Sequence, residues 1–288
     1  MPDALVPASL LVVVLSLLAS LGWGVADFGG GLTSRRAPVL GVLGGSQLAG
    51  LLIAIPLLLL IHEPAMRQLD LLISIGGGVL GALGLALLYR GLSIGRMSVV
   101  APVAALLTAL LPVGFGFLTQ GFPPAPAIVG IACAMVSVIL VSRVSDDGDT
   151  RPSGIGYALA AGTTFGLFTI SASQLSDDLV ISPTVVIRIT SVAVIGAFVL
   201  LRKQAWRVPR GLWPRLLAIG IIDMSATAAY LSAIAVGPLA IASIIGSLYP
   251  VITTVLAAAV LRERVTRTHA LGILAAGAAV ALIAGATA

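Results

Sequence analysis

Residues 71–89 read LLISIGGGVLGALGLALLY, an unbroken run without a single charge. About 20 mostly apolar residues carry a helix across the hydrocarbon of a bilayer, where every backbone polar group needs a partner within the chain. The stretch therefore predicts a transmembrane helix. Its glycines, Gly76, Gly77, Gly78, Gly81 and Gly84, predict close helix–helix approach, because lipid offers no hydrophobic drive and small residues let backbones meet.

Nine more stretches qualify on the same grounds: Ala8–Phe28, Val39–Ile61, Met97–Leu118, Ala125–Val141, Gly154–Ser173, Pro183–Leu201, Leu212–Leu231, Pro238–Leu261 and Ala270–Ala286. Composition agrees. The chain is 59% hydrophobic and 9% charged, against about 25% charged in soluble domains, and its mean hydropathy is +1.14. No water-soluble core accommodates that much apolar surface, so the lipid bilayer is the expected solvent. The first run lacks a basic flank and ends in glycine-rich sequence, which reads as a span, not a cleaved signal. The single cysteine, Cys133, excludes an internal disulfide.

The second half echoes the first 142 positions later. Trp23-Gly24-Val25 falls on Phe165-Gly166-Leu167, Gly78 on Gly220, Gly95 on Gly237, Leu106 on Leu248 and Gly130-Ile131 on Gly272-Ile273. The polar linker Ser142–Ser153 separates five spans from five. Because five is odd, the second unit enters the bilayer upside-down. The expected fold is thus an all-α membrane protein of ten transmembrane helices in two inverted five-helix repeats, residues 1–144 and 145–288, an architecture of secondary transporters.

Orientation follows from the cations. Of 16 Lys and Arg residues, 14 lie after spans one, three, five, seven and nine; Arg67 lies opposite and Arg188 within span seven. Positive loops stay cytoplasmic, which puts both termini outside in a multi-pass protein of a bacterial inner (plasma) membrane. Topology accounts for the net charge of +5 better than nucleic acid does.

Ionisable groups inside a bilayer are costly and mark function by default. Two are expected there: Arg188 in span seven and Asp223 in span eight. Adjacent spans bring them together as a buried pair. Either Arg188 holds a substrate carboxylate while Asp223 meets an amine or a proton, or the pair fixes two helices. Asp27, at the end of span one, is expected at the membrane interface. Polar and aromatic residues on otherwise apolar helices form the rest of the candidate substrate site: Trp23, Gln47, Tyr230, Ser243, Ser247 and Tyr249, with Ser46, Phe165 and Phe168 beside them. Pro102 and Pro112 in span four and Pro250 in span nine predict bent or hinged helices flanking the cavity. Trp206 and Trp213, beside basic residues, read as interface anchors.

Catalytic chemistry finds no support. His62 and His269 lie in loops, and Asp146, Asp147 and Asp149 lie on the opposite face from Asp177 and Asp178, so no catalytic residue, metal site or cofactor is expected. No phosphate-binding glycine loop occurs.

Ala86-Leu87-Leu88-Tyr89 running into Gly95 is repeated as Ala228-Ala229-Tyr230 running into Gly237. Ser247-Leu248-Tyr249-Pro250-Val251, then Leu261-Arg262-Glu263-Arg264-Val265-Thr266, then Leu271-Gly272-Ile273 resembles the pattern of the drug/metabolite transporter superfamily, in its EamA-type ten-helix branch. Arg188 matches a recurrent arginine of that family. The first half departs from the pattern, with Gln120-Gly121 in place of Arg262-Glu263. The resemblance implies export of small-molecule substrates, chiefly amino acids, aromatic ones among them, with H+ as the coupling ion to test. Other small metabolites or cationic drugs are the alternative cargo. A membrane-embedded enzyme is the more distant alternative.

Overall fold

The computed structural model describes residues 8–34, 36–94, 97–141, 154–261 and 267–287. The linker 142–153, with Asp146, Asp147 and Asp149, and the Arg262-Glu263-Arg264 turn lie outside the described residues.

Eleven α-helices run through the described residues: α1 (Ala8–Ser34), α2 (Val39–Leu60), α3 (Gln68–Ile94), α4 (Met97–Gln120), α5 (Ala125–Val141), α6 (Ile155–Ala172), α7 (Ile181–Arg202), α8 (Trp213–Val236), α9 (Leu239–Gly246), α10 (Tyr249–Leu261) and α11 (Arg267–Thr287). A 3₁₀ turn, Arg210–Leu212, leads into α8. Among the described residues, seven helices, α1–α4 and α6–α8, are long and apolar enough to cross a membrane, and Ala125–Leu140, Leu239–Thr253 and Ala270–Ile283 are shorter apolar stretches. Leu59, Leu118, Leu200 and Leu201 are each more than 75% exposed. Such an apolar exterior suits lipid contact and would be a liability in water.

Every expected span falls on a helix, but the ninth is broken. Between α9 and α10 the chain turns at Ser247-Leu248. Pro250 has no N–H to offer the Gly246 carbonyl one turn earlier, and the backbone tightens instead. Leu248 N–H donates to the Ile245 carbonyl at 3.1 Å and Val251 N–H to the Leu248 carbonyl at 2.9 Å. An open helix end is tolerated at membrane depth only inside protein, and α9 is buried along its whole length. Helix α4, despite Pro102 and Pro112, stays continuous.

Helix starts repeat at the spacing read from the sequence. Val39 and Ile181, Gln68 and Arg210, Met97 and Leu239, Ala125 and Arg267 each open a helix or its leading turn and stand 142 residues apart. Contacts between the halves recur in the same way. Helix α1 packs on α8 as α6 packs on α3, α2 on α8 as α7 on α3, and α9–α10 on α1 as α4 on α6. The pairs α2 with α7 and α5 with α11 are their own counterparts.

Matched glycines sit where backbones cross. A Cβ on Gly24 would lie 2.8 Å from the Tyr249 carbonyl oxygen, and one on Gly166 would lie 3.1 Å from that of Leu107. A Cβ on Gly78 would meet the Ile187 carbonyl at 2.7 Å; one on Gly220 would meet that of Ser46 at 2.1 Å. Between α5 and α11, Gly130 faces the Ala279 carbonyl, while Ser137 donates to the Gly272 carbonyl at 2.6 Å. That is one contact seen twice, since residues 130 and 137 correspond to 272 and 279.

One rim of the bundle is tied by carboxylates. Glu63, between α2 and α3, accepts hydrogen bonds from the N–H groups of Val180 (3.0 Å), Ile181 (2.7 Å) and Ser182 (2.8 Å) at the start of α7. Partial burial pushes the Glu63 carboxyl up, but these donors outweigh it and hold it below its ordinary value. Asp70 accepts from Arg67 Nε at 2.7 Å and from Ser176 N–H at 3.1 Å, bringing the 173–180 loop down onto α3. On the other rim, the 203–209 loop meets α2 with the Trp206 carbonyl and the Val208 side chain lying over Gly41.

Candidate functional site

A central cavity opens among α1, α2, α3, α4, α6, α7, α8 and α10 and holds about 830 Å³ of space free of protein atoms, its mouth included. Four pairs of positions 142 residues apart line it: Trp23 and Phe165, Asp27 and Thr169, Gly81 and Asp223, Leu85 and Thr227. The cavity therefore lies where the two halves exchange. Its wall is mainly apolar and aromatic, with few polar groups, the usual composition of a small-molecule site.

Helices α7 and α8 supply four of its polar residues, Arg188, Ser191, Asp223 and Thr227. Arg188, 3% exposed, donates from one guanidinium nitrogen to Gln47 Oε1 on α2 and to Asp223 Oδ2 on α8, the latter at 2.5 Å. Its other terminal nitrogen donates to Thr227 Oγ1 at 2.9 Å. Thr227, one turn after Asp223, returns its own hydroxyl to the Asp223 carbonyl at 2.9 Å. The expected Arg188–Asp223 pair is thus present, held by two further side chains. Burying a guanidinium is costly unless it is paired and hydrogen-bonded, and this network meets most of that demand. Of the three guanidinium nitrogens, Nε is buried without a partner.

Five of the eight residues expected at the site line this cavity: Trp23, Gln47, Arg188, Asp223 and Tyr249. Phe165 and Phe168 join them. Tyr230, Ser243 and Ser247 do not; they stand behind the wall. The Tyr230 ring packs against Trp23, centroids 5.2 Å apart, and its hydroxyl shares a 2.8 Å hydrogen bond with Ser243. Ser247 is buried and donates to the Ile244 carbonyl at 2.8 Å. Ser46 likewise turns inward, donating to the Leu43 carbonyl at 3.0 Å.

Asp27 is not at an interface but on the cavity wall. The expectation erred because Gly29-Gly30-Gly31 reads as the end of a span. Helix α1 instead continues to Ser34, leaving Asp27 inside it. Its position was available from helical spacing, since it lies one turn after Trp23 on the same face. Thr169 stands one turn after Phe165 in the same way. Asp27 is within electrostatic reach of Asp223 and Tyr249, yet it makes no hydrogen bond or ion pair with another described residue. Thr108, Ser191 and Thr227 also line the cavity; on helices otherwise so apolar, short hydroxyl side chains carry too weak a signal to single out.

Residues 152–285 match the family model of the EamA-like transporter family. No curated protein sequence matches the chain significantly. The fold is similar to that of a solved crystal structure, with a TM-score of 0.73 at 16% sequence identity, over 96% of this chain and 97% of that one. At that identity the likeness concerns the fold alone.

Proposed function

We propose that this chain is a secondary transporter that exports small organic molecules through the central cavity, by alternating access between inverted five-helix repeats at 1–144 and 145–288. The observation that carries the reading is the cavity's place: four pairs of matching positions from the two halves line it, so rocking one half against the other exposes one site to either side in turn. The family match over 152–285 supports transport. An odd number of spans per half inverts the second repeat. The cation distribution, strongest in the 202–215 segment, sets both termini outside a bacterial inner membrane.

The resemblance to amino-acid exporters, and the Trp23, Phe165, Phe168 and Tyr249 side chains of the wall, favour amino acids with apolar or aromatic side chains among the cargo. The assignment makes the chain a carrier and not an enzyme.

The test is uptake of a panel of labelled amino acids into proteoliposomes, with and without a pH gradient. Saturable flux supports a carrier, and acceleration by the gradient adds H+ as the coupling ion. Flux that rises linearly without saturation indicates a channel and sinks alternating access.

A further inference from the structure

The cavity's charges do not cancel. Among the described residues of its wall, Asp27, Asp223 and Arg188 carry formal charges, two negative against one positive. The single cation is already engaged. Arg188 gives one terminal nitrogen to Gln47 and Asp223 and the other to Thr227. Its side chain is 4% exposed, and its Nε is shielded from the cavity. An incoming carboxylate would have to displace Asp223, leaving two carboxylates to share one guanidinium. Like charges crowded in a poorly solvated site repel strongly.

Asp27 is in the opposite condition. It faces the cavity, has no protein donor or cation among the described residues, and stands near a second carboxylate. A carboxylate removed from water and left unpaired costs free energy, and a bound ammonium group relieves that cost through a charge-assisted hydrogen bond. Trp23 lies one turn away on the same helix, and Phe165 occupies the equivalent place on α6. Both offer aromatic faces to an apolar body or to the cation itself.

We infer that the cavity selects organic monocations: amines with an aromatic or branched apolar body, their ammonium group on Asp27, and with no carboxylate required. This rests on the reading of the cavity as a transport site and narrows its cargo. It ranks the amine above the amino acid of the same side chain.

Calorimetric titration of the full chain in detergent at neutral pH tests the ranking with three probes of one shape: phenethylamine, phenylalanine and 3-phenylpropionate. We expect phenethylamine to bind at least about tenfold more tightly than phenylalanine, and 3-phenylpropionate not to bind, as charge complementarity requires. Asp27→Asn should weaken phenethylamine at least about tenfold, and Asp27→Glu should restore part of that loss. If Asp27→Asn does not fold, the order of the three probes on the unaltered protein still decides. Phenylalanine binding as tightly as the amine, measurable binding of the acid, or no binding by any probe overturns the inference. Uptake into vesicles separates it from the transport reading. A bound amine that is never carried removes the transporter and keeps the site; carried phenylalanine that outbinds the amine does the reverse.

Discussion

Helices α2–α3 and α7–α8 are one backbone unit used twice. Helices α2 and α7 both span 22 residues, and Gln68–Ile94 lines up with Arg210–Val236 end to end. Their chemistry differs at a few side chains. Where α7 carries Arg188, α2 carries Ser46, whose hydroxyl turns back to its own helix. Where α8 carries Asp223, α3 carries Gly81, whose Cβ position has no atom within 4 Å and opens onto the cavity. The same crossing geometry thus supports an ion pair on one side and empty volume on the other. Backbone placement is set by apolar surface and by the one glycine position common to both units, Gly78 and Gly220, while the cavity's polarity depends on single residues that one unit has and the other lacks.

Removing one partner of the pair tests this asymmetry most directly. In Asp223→Ala, Arg188 is left buried without its counter-ion, and we expect a loss of about 3–5 kcal/mol in stability, read as a lower unfolding midpoint in detergent. The double variant Arg188→Leu/Asp223→Leu should recover most of it, because a well-packed apolar pair has no charge to desolvate. At the equivalent positions, Ser46→Ala should cost less than about 1 kcal/mol, since it removes only a local hydroxyl–carbonyl bond. A loss below about 1 kcal/mol in Asp223→Ala would show that the pair does not support the fold. Asp223 would then be free to meet substrate.

Glycine positions test the shared backbone at an intermediate scale. In Gly220→Ala the new methyl lies 2.1 Å from the Ser46 carbonyl oxygen, and in Gly78→Ala it lies 2.7 Å from that of Ile187. Backbone cannot yield as a side-chain tip can, so both should lose about 1–3 kcal/mol, Gly220→Ala the more. Gly81→Ala meets nothing within 4 Å; it should leave the unfolding midpoint unchanged or slightly raised, because alanine is the better helix former by about 0.5–1 kcal/mol. Equal gains at Gly81 and Gly220 would show that helix propensity, not crossing distance, governs these positions.

Much of the fold is legible in the sequence because the bilayer simplifies the code. Long apolar runs have few alternatives to helix, and the 142-residue echo survives in Gly24/Gly166 and Gly78/Gly220, where any side chain would strike a neighbouring backbone. The break after Gly246 was legible only as a bend at Pro250. Whether a proline interrupts a helix depends on surrounding contacts, and Pro112 leaves α4 uninterrupted. The site is harder to read. Arg188 and Asp223 stand out because charge is rare in spans, whereas Tyr230, Ser243 and Ser247 are polar residues that satisfy one another or their own helix behind the wall. Polarity alone does not tell a lining residue from one that ties helices together. The glycine run 29–31 reads as a helix end but continues α1 to Ser34, which carries Asp27 inside the helix.

The smallest effect lies at the rims. Glu63 holds the start of α7, whereas its counterpart, Ala205, has no side chain able to hold α2. Glu63→Gln removes a negative charge from a helix N-terminus, where anions are favoured, and should lower stability by about 1 kcal/mol at pH 7. The pH dependence has a definite sign. Folding holds the Glu63 carboxyl below its ordinary value of 4.5, so its contribution is complete above that value and is lost as pH falls through the lowered one. The gap between the unaltered protein and Glu63→Gln should therefore be constant from pH 7 to about 5 and close progressively below about 4.5. Ala205→Ser, on the other rim, should show no such trend. A gap that widened on acidification would mean that Glu63 prefers its protonated form in the fold, and that α7 is held by something other than this carboxylate.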